Sequence, residues 1–219
     1  MSALVRLTER LRLHDVRFAI ISNNCWGYPV YKLLGREYNT PFVGLFLHPE
    51  CYLTLLYQFE YFLSMPIKFV PTSKHDGLPR DYPIGRLGEV EIHFMHYRTE
   101  TDAEIKWERR VQRLIQARLG GAPLFIKFCS LIPCSTVDLE RFHALPFGHK
   151  LSIGTEYFEN SNHTCVPELL DPKTGVLLNG LKLYKQRYRY IDFVRWLKTG
   201  KVQKTLFSRV MALLSHGIR

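Results

Sequence analysis

The run Val16-Arg17-Phe18-Ala19-Ile20-Ile21 leads straight into Ser22-Asn23-Asn24-Cys25-Trp26-Gly27, with Pro29 soon after. β-Branched and aromatic residues at this density read as a buried strand. Pro29 suits the first turn of a helix and Gly35 its end, so strand, polar turn and helix follow one another. In an open α/β sheet such a turn lies at the carboxyl ends of the strands, where ligands bind.

Outward from this stretch the alternation continues. Strand-like runs fall at 42–47, 67–70, 90–95, 124–128 and 150–153. Helix-like runs occupy 29–34, 49–64, 102–119 and 136–143, after a short amino-terminal helix. This order predicts an α/β fold, a mostly parallel sheet with flanking helices. Residues 73–88 carry Gly77, Pro79, Pro83, Gly85 and Gly88 and are expected to form a long loop. Residues 156–180 are polar, punctuated by Pro and Gly, and show little periodicity. Near 97–101 a strand gives way to the longest helix, where the body could divide into two small α/β lobes. There Thr101-Asp102-Ala103-Glu104 has capping-box spacing. Ala103, Trp107, Val111, Leu114 and Ile115 then form one apolar stripe, so Trp107 reads as core rather than a sugar platform. Arg110 flanks that stripe, while Arg109 points nearly opposite.

Charge divides the chain differently. Of a formal +10, residues 182–219 hold ten Lys or Arg against Asp192 alone, leaving about +1 for residues 1–181. The expected organisation is therefore an α/β body, 1–181, and a basic C-terminal helical arm, 182–219. The arm interleaves its cations with Tyr184, Tyr188, Tyr190, Phe193 and Trp196. A helix pair docking its apolar side on the core, an anionic membrane surface gripped by 182–214, and nucleic acid all fit that mixture. Nucleic acid fits least, since no recognisable binding module is present. Five scattered cysteines without CxxC spacing suggest reduced thiols. Without a signal-like or membrane-spanning run, the chain is expected in the cytoplasm, or at the inner face of the membrane.

The turn itself supplies the candidate site. Backbone N–H groups at a helix start, with Asn23, Asn24, Trp26 and Gly27, suit a phosphate, pyrophosphate or carboxylate. Asparagines that only cap and turn the chain are the plainer reading. Cys25 is a candidate thiolate nucleophile, with a small packed residue as the alternative. His93 and His96, at another strand end, are candidates for a base or acid. Three apart on a strand they face opposite sides, so no metal centre is expected. Tyr97 and Arg110 complete the ligand contacts, the arginine able to hold phosphate bidentately. The Gly-rich dinucleotide fingerprint is missing, and the cofactor stays open.

Several motifs together carry a resemblance. They are Ile21-Ser22-Asn23-Asn24-Cys25-Trp26-Gly27, Tyr31, Asn39-Thr40-Pro41-Phe42-Val43-Gly44-Leu45 and Tyr82-Pro83-Ile84-Gly85, followed by Val90-Glu91-Ile92-His93-Phe94-Met95-His96-Tyr97 and Lys106-Trp107-Glu108-Arg109-Arg110. Over roughly residues 15–155 the chain resembles a bacterial family labelled exopolysaccharide biosynthesis protein, a domain of unknown function found among capsule and lipopolysaccharide genes. The resemblance implies an α/β fold and a setting in surface-polysaccharide assembly, and no reaction. Tyr28 stands where that pattern has a second glycine.

The expectation is thus a transferase using a phosphate-bearing sugar or acyl donor. The donor phosphate would lie at residues 23–27 with Arg110 opposing it, and His93 or His96 would take the acceptor proton. A non-catalytic glycan- or partner-binding protein regulating a glycosyltransferase complex is the alternative. A thiol hydrolase or acyltransferase using Cys25 is the third.

Overall fold

The computed structural model describes residues 2–129, 135–171, 173 and 177–216. Cys134, one of the scattered thiols, lies outside them; Cys25, Cys51, Cys129 and Cys165 are free thiols.

The mixed α/β fold holds two sheets. Strands β1 (Ala19–Ser22), β5 (Leu124–Cys129), β6 (His149–Gly154) and β7 (His163–Cys165) form a parallel sheet in the order β1-β5-β6-β7. Strands β2 (Lys68–Thr72), β3 (Pro79–Leu87) and β4 (Val90–His93) form an antiparallel meander. The helices are α1 (Ala3–Leu13), α2 (Pro29–Leu34), α3 (Pro49–Tyr57), α4 (Phe59–Ser64), α5 (Glu100–Leu119), α6 (Thr136–Ala144), α7 (Gly180–Lys185), α8 (Phe193–Thr199) and α9 (Leu206–His216).

Side chains alternate across the parallel sheet and feed two cores. Ala19, Ile21, Ile126 and Phe128 join a core with α3–α6 and the meander. Phe18, Ile20, Phe125, Leu151 and Ile153 join another with α1, α2 and α7–α9. The first core includes Phe94, Tyr97 and Trp107, so packing runs unbroken across residues 97–101.

Several expectations need correction. Residues 79–87 are a strand, not loop. Pro83 falls between the pairs Val70–Ile84 and Thr72–Pro79, where the register shifts, so its missing N–H breaks no ladder bond. A Cβ on Gly85 would stand 2.8 Å from the Phe94 ring, which explains a glycine in mid-strand. Among the described residues, 42–47 make one bridge, Phe46 to His93, because Gly44 turns the chain at φ 74°. The run 49–64 breaks into two helices at Gln58 (φ −123°, ψ 51°). The long helix is capped earlier than expected, by Thr99 accepting from the Asp102 N–H. Strand β7 interrupts the segment read as irregular.

The basic arm docks on the core. Tyr184, Tyr188, Tyr190, Phe193, Val194, Trp196 and Leu197 are all buried in the second core. Their aromatic faces are thereby withdrawn from any lipid or base. Among the described residues, no helix is long and apolar enough to cross a membrane.

Candidate functional site

The polar turn after β1 is built into the interior. Asn23 clasps the end of the neighbouring strand: its Nδ2 donates to Cys129 O (2.7 Å), and its Oδ1 accepts from Cys129 N (3.1 Å). Asn24 Oδ1 accepts from Trp26 N (3.1 Å), Lys127 Nζ (3.0 Å) and Ser22 Oγ (3.3 Å). Trp26 is wholly buried, donates Nε1–H to Tyr190 (2.7 Å) and meets Tyr184, Phe193 and Trp196 edge-on. A Cβ on Gly27 would sit 2.5 Å from Ile20, and one on Gly180, at the start of α7, 2.7 Å from both Asn24 Oδ1 and Trp26 N. Asn23, Asn24, Trp26 and Gly27 are therefore joints of the fold, and α7 covers their turn.

Lys127 was missed by sequence reasoning. It is fully buried on the central region of the sheet, bonded to Asn24 and 5.7 Å above the Trp26 ring. Burial pushes its pKa down to about 8, partly offset by the sulfurs of Cys129 and Cys25. A lysine inside the otherwise apolar run 124–129 was the available signal.

Beside this turn lies an open cleft of about 370 Å³. Tyr28, Lys32, Tyr38, Gly44, His96, Tyr97, Lys106 and Arg110 line it. Two of the sequence candidates are bonded there. The Arg110 guanidinium donates to the Tyr97 hydroxyl, which in turn donates to Val43 O at 2.6 Å. Burial raises the Tyr97 pKa, and the Arg110 charge opposes that rise. The guanidinium carbon lies 5.0 Å from the Tyr38 ring centre and 5.9 Å from that of Tyr97. Arg110 is only 8% exposed, and its Nε is buried without a partner.

The rest of α5 sharpens the point. Lys106 pairs with Asp102 at 2.8 Å, Arg113 with Glu37 at 2.7 Å, and Arg118 with Glu60. Arg110 makes no such pair among the described residues. Among the described residues Arg109 also has no carboxylate, but it is exposed and hydrated; Arg110 is the α5 cation that is buried without one, which folding alone does not favour. Lys32 adds a second positive charge, Asp102 offsets that of Lys106, and no carboxylate stands in the lining among the described residues, so the cleft presents net positive charge between tyrosine faces. Volume does not single it out: a groove of about 710 Å³ along α4 and α5 is larger, but Glu60 and Glu108 line it.

Of the expected catalytic side chains, His96 alone lines the cleft. The strand ends at His93 and the chain turns, sending His93 inward and His96 outward. His93 Nδ1 meets the Tyr82 hydroxyl at 3.2 Å, while Nε2 lies 3.1 Å from Glu91 Oε1 without hydrogen-bonding geometry. Burial lowers its pKa, against the pull of Glu91. Burial also opposes the Glu91 carboxylate, but hydrogen bonds from Ser73, Lys74 and Arg86 hold its pKa below the usual range. This buried group ties β4 to β3 and to the turn after β2, and it is separate from the cleft. Cys25 is partly buried with Sγ 3.9 Å from Leu45 O, and burial pushes its pKa up to about 11. Burial thus opposes the thiolate form that nucleophilic attack would need. Tyr28, Lys32, Tyr38 and Lys106 are cleft residues that sequence reasoning did not select. Among the described residues, no cluster of His, Cys, Asp or Glu can hold a metal ion.

The sequence profile of a family described as a domain of unknown function, DUF1919, matches residues 2–198. An uncharacterised protein of Haemophilus influenzae is 34% identical over 147 residues, covering 67% of this chain. The aligned stretch spans 66% of that protein, just under two thirds of its length.

Proposed function

The chain belongs to the DUF1919 family, and on that premise we propose that the Arg110 cleft binds a phosphate-bearing sugar or acyl donor. The chemistry is a transfer step in bacterial surface-polysaccharide synthesis, the setting that the motif resemblance implies. One observation carries the reading: a buried guanidinium with no carboxylate among the described residues, opening on a cleft that Lys32 makes more positive. A donor phosphate there would take charge-assisted hydrogen bonds from Arg110, and a ring could lie against Tyr28 or Tyr38. His96 is the group placed to accept a proton from an acceptor hydroxyl. The polar turn acts one layer back, holding the strand ends on which the cleft rests.

A second reading has its own support. Of Cys25, His93 and His96, only His96 lines the cleft, which suits a recognition site regulating a glycosyltransferase complex. Thermal shifts with nucleoside diphosphates, nucleotide sugars, coenzyme A and sugar phosphates test both. Selective stabilisation by one donor, lost in Arg110→Met, supports the cleft; a flat panel contradicts it. Donor turnover abolished in His96→Gln with binding retained supports transfer. Binding without turnover in the wild type supports recognition instead.

A further inference from the structure

Helices α1 and α9 pack on one another, and each is apolar on two opposite faces. On α1, Val5, Glu9 and Leu13 face inward, whereas Leu4, Leu7 and Leu11 form the opposite stripe, 54, 55 and 66% exposed. On α9, Ser208 and Met211 are buried, while Leu206, Val210 and Leu213 turn outward, 77, 46 and 78% exposed. A helix stabilised by its inner face gains nothing in folding from leucines on the outer one.

The surrounding charge is mostly positive. Within residues 2–13 and 193–216 the only acidic side chain is Glu9, and it is buried against Arg187. Arg6, Arg10, Lys204 and Arg209 are exposed around the stripes. Where α1, α8 and α9 meet, Arg12, Arg195 and Lys198 line a groove of about 380 Å³. Its one carboxylate, Asp192, is engaged by the Arg195 N–H and the Thr205 hydroxyl. The Arg195 Nε is buried there without a partner.

From these observations we infer that α1 and α9 together form a docking face for an anionic lipid surface. The leucine stripes enter the boundary between headgroups and acyl chains, and the arginines and lysines meet lipid phosphates. The Arg12–Arg195–Lys198 groove receives a headgroup phosphate. A second copy of the chain is the poorer occupant, because a two-fold pairing would set one cationic face against another. The inference stands apart from the Arg110 cleft. It also differs from gripping lipid through the aromatics of residues 184–196, which are buried.

The test is co-sedimentation of the full chain with vesicles of phosphatidylcholine alone and of phosphatidylcholine mixed with phosphatidylglycerol. The mixed vesicles should bind at least about tenfold more strongly, an advantage that high salt removes. Leu7→Glu/Leu213→Glu and Arg6→Glu/Arg209→Glu alter exposed side chains only, so unchanged circular dichroism is expected. Each should lose about tenfold or more of that binding, while Arg110→Met keeps it. Equal binding to both vesicle types, or binding to neither, would overturn the inference. So would a concentration-dependent dimer of the wild type that Leu7→Glu/Leu213→Glu dissolves.

Discussion

Two buried arginines meet opposite fates in this molecule. Arg187, fully buried between α7 and α8, donates Nε–H to Glu9 Oε1 at 2.9 Å, and a second guanidinium nitrogen also reaches that oxygen. Tyr188 donates to the same oxygen at 2.8 Å, and Tyr184 O takes another Arg187 hydrogen at 2.8 Å. Arg110, nearly as buried, has only the Tyr97 hydroxyl and aromatic faces among the described residues. Desolvating a guanidinium costs several kcal/mol, so a fold that buries one normally supplies the anion as well. Where the anion is internal, as with Glu9, the pair pins α1 to the carboxy-terminal helices. Where it is missing, beside an open cleft, the charge is available to a ligand.

The largest effect should come from breaking the closed member of the pair. Glu9→Ala leaves Arg187 buried without its anion and should cost about 3–5 kcal/mol in urea unfolding. Arg187→Met alongside it should recover most of that loss, since an apolar replacement removes the stranded charge. Arg110→Met tests the open member and predicts the reverse pattern. Donor affinity should fall about tenfold to a hundredfold, from loss of charge-assisted bonds worth about 1.5–3 kcal/mol, while stability holds or rises. The Asn23 clasp sharpens the contrast between structural joint and binding group. Asn23→Ala frees the Cys129 backbone N–H and C=O inside the core, and should cost about 2 kcal/mol without selectively weakening the ligand.

The smallest effect concerns protons rather than fixed charge. His143 Nε2 and His163 Nδ1 lie 2.8 and 2.7 Å from the buried Ser152 hydroxyl, linking α6, β6 and β7. Burial, then the nearby Lys150 charge, push the His143 pKa from 6.5 to about 4. The unfolded chain then binds its proton first, so stability is full above pH 6.5 and falls as pH drops from 6.5 through 4. His48, lowered to about 4 by burial and then by its stacked neighbour His75, acts in the same direction. His143→Gln should therefore shrink, without abolishing, the loss of urea midpoint between about pH 7 and pH 5.

What was legible in the sequence follows from range. The strand-to-helix turn, Pro29 at its helix start and Gly35 at its end are local, and they read correctly. So did the helical phase that turned Arg110 inward and Arg109 out, because three or four residues fix it. The meander did not, since Pro79, Pro83 and Gly85 signal loop unless the neighbouring strands and Phe94 are known. Nor did the role of Trp26, whose partners Tyr184, Tyr190 and Trp196 are far along the chain. A basic, aromatic segment looks the same in sequence whether its rings face lipid or fill a core. Tyr28, Lys32 and Tyr38 became cleft residues only when α2 and its following turn were set beside Gly44 and α5.

Arg110 is a binding group here rather than a joint, and that distinction can be measured directly. The most direct measurement compares wild type and Arg110→Met by urea unfolding, with and without inorganic pyrophosphate as a minimal donor mimic. Pyrophosphate should raise the wild-type midpoint and leave that of the variant unchanged, while the unliganded variant is at least as stable as wild type. A variant destabilised by about 3 kcal/mol or more, with pyrophosphate stabilising both proteins equally or neither, would make Arg110 a second Arg187 and contradict its binding role.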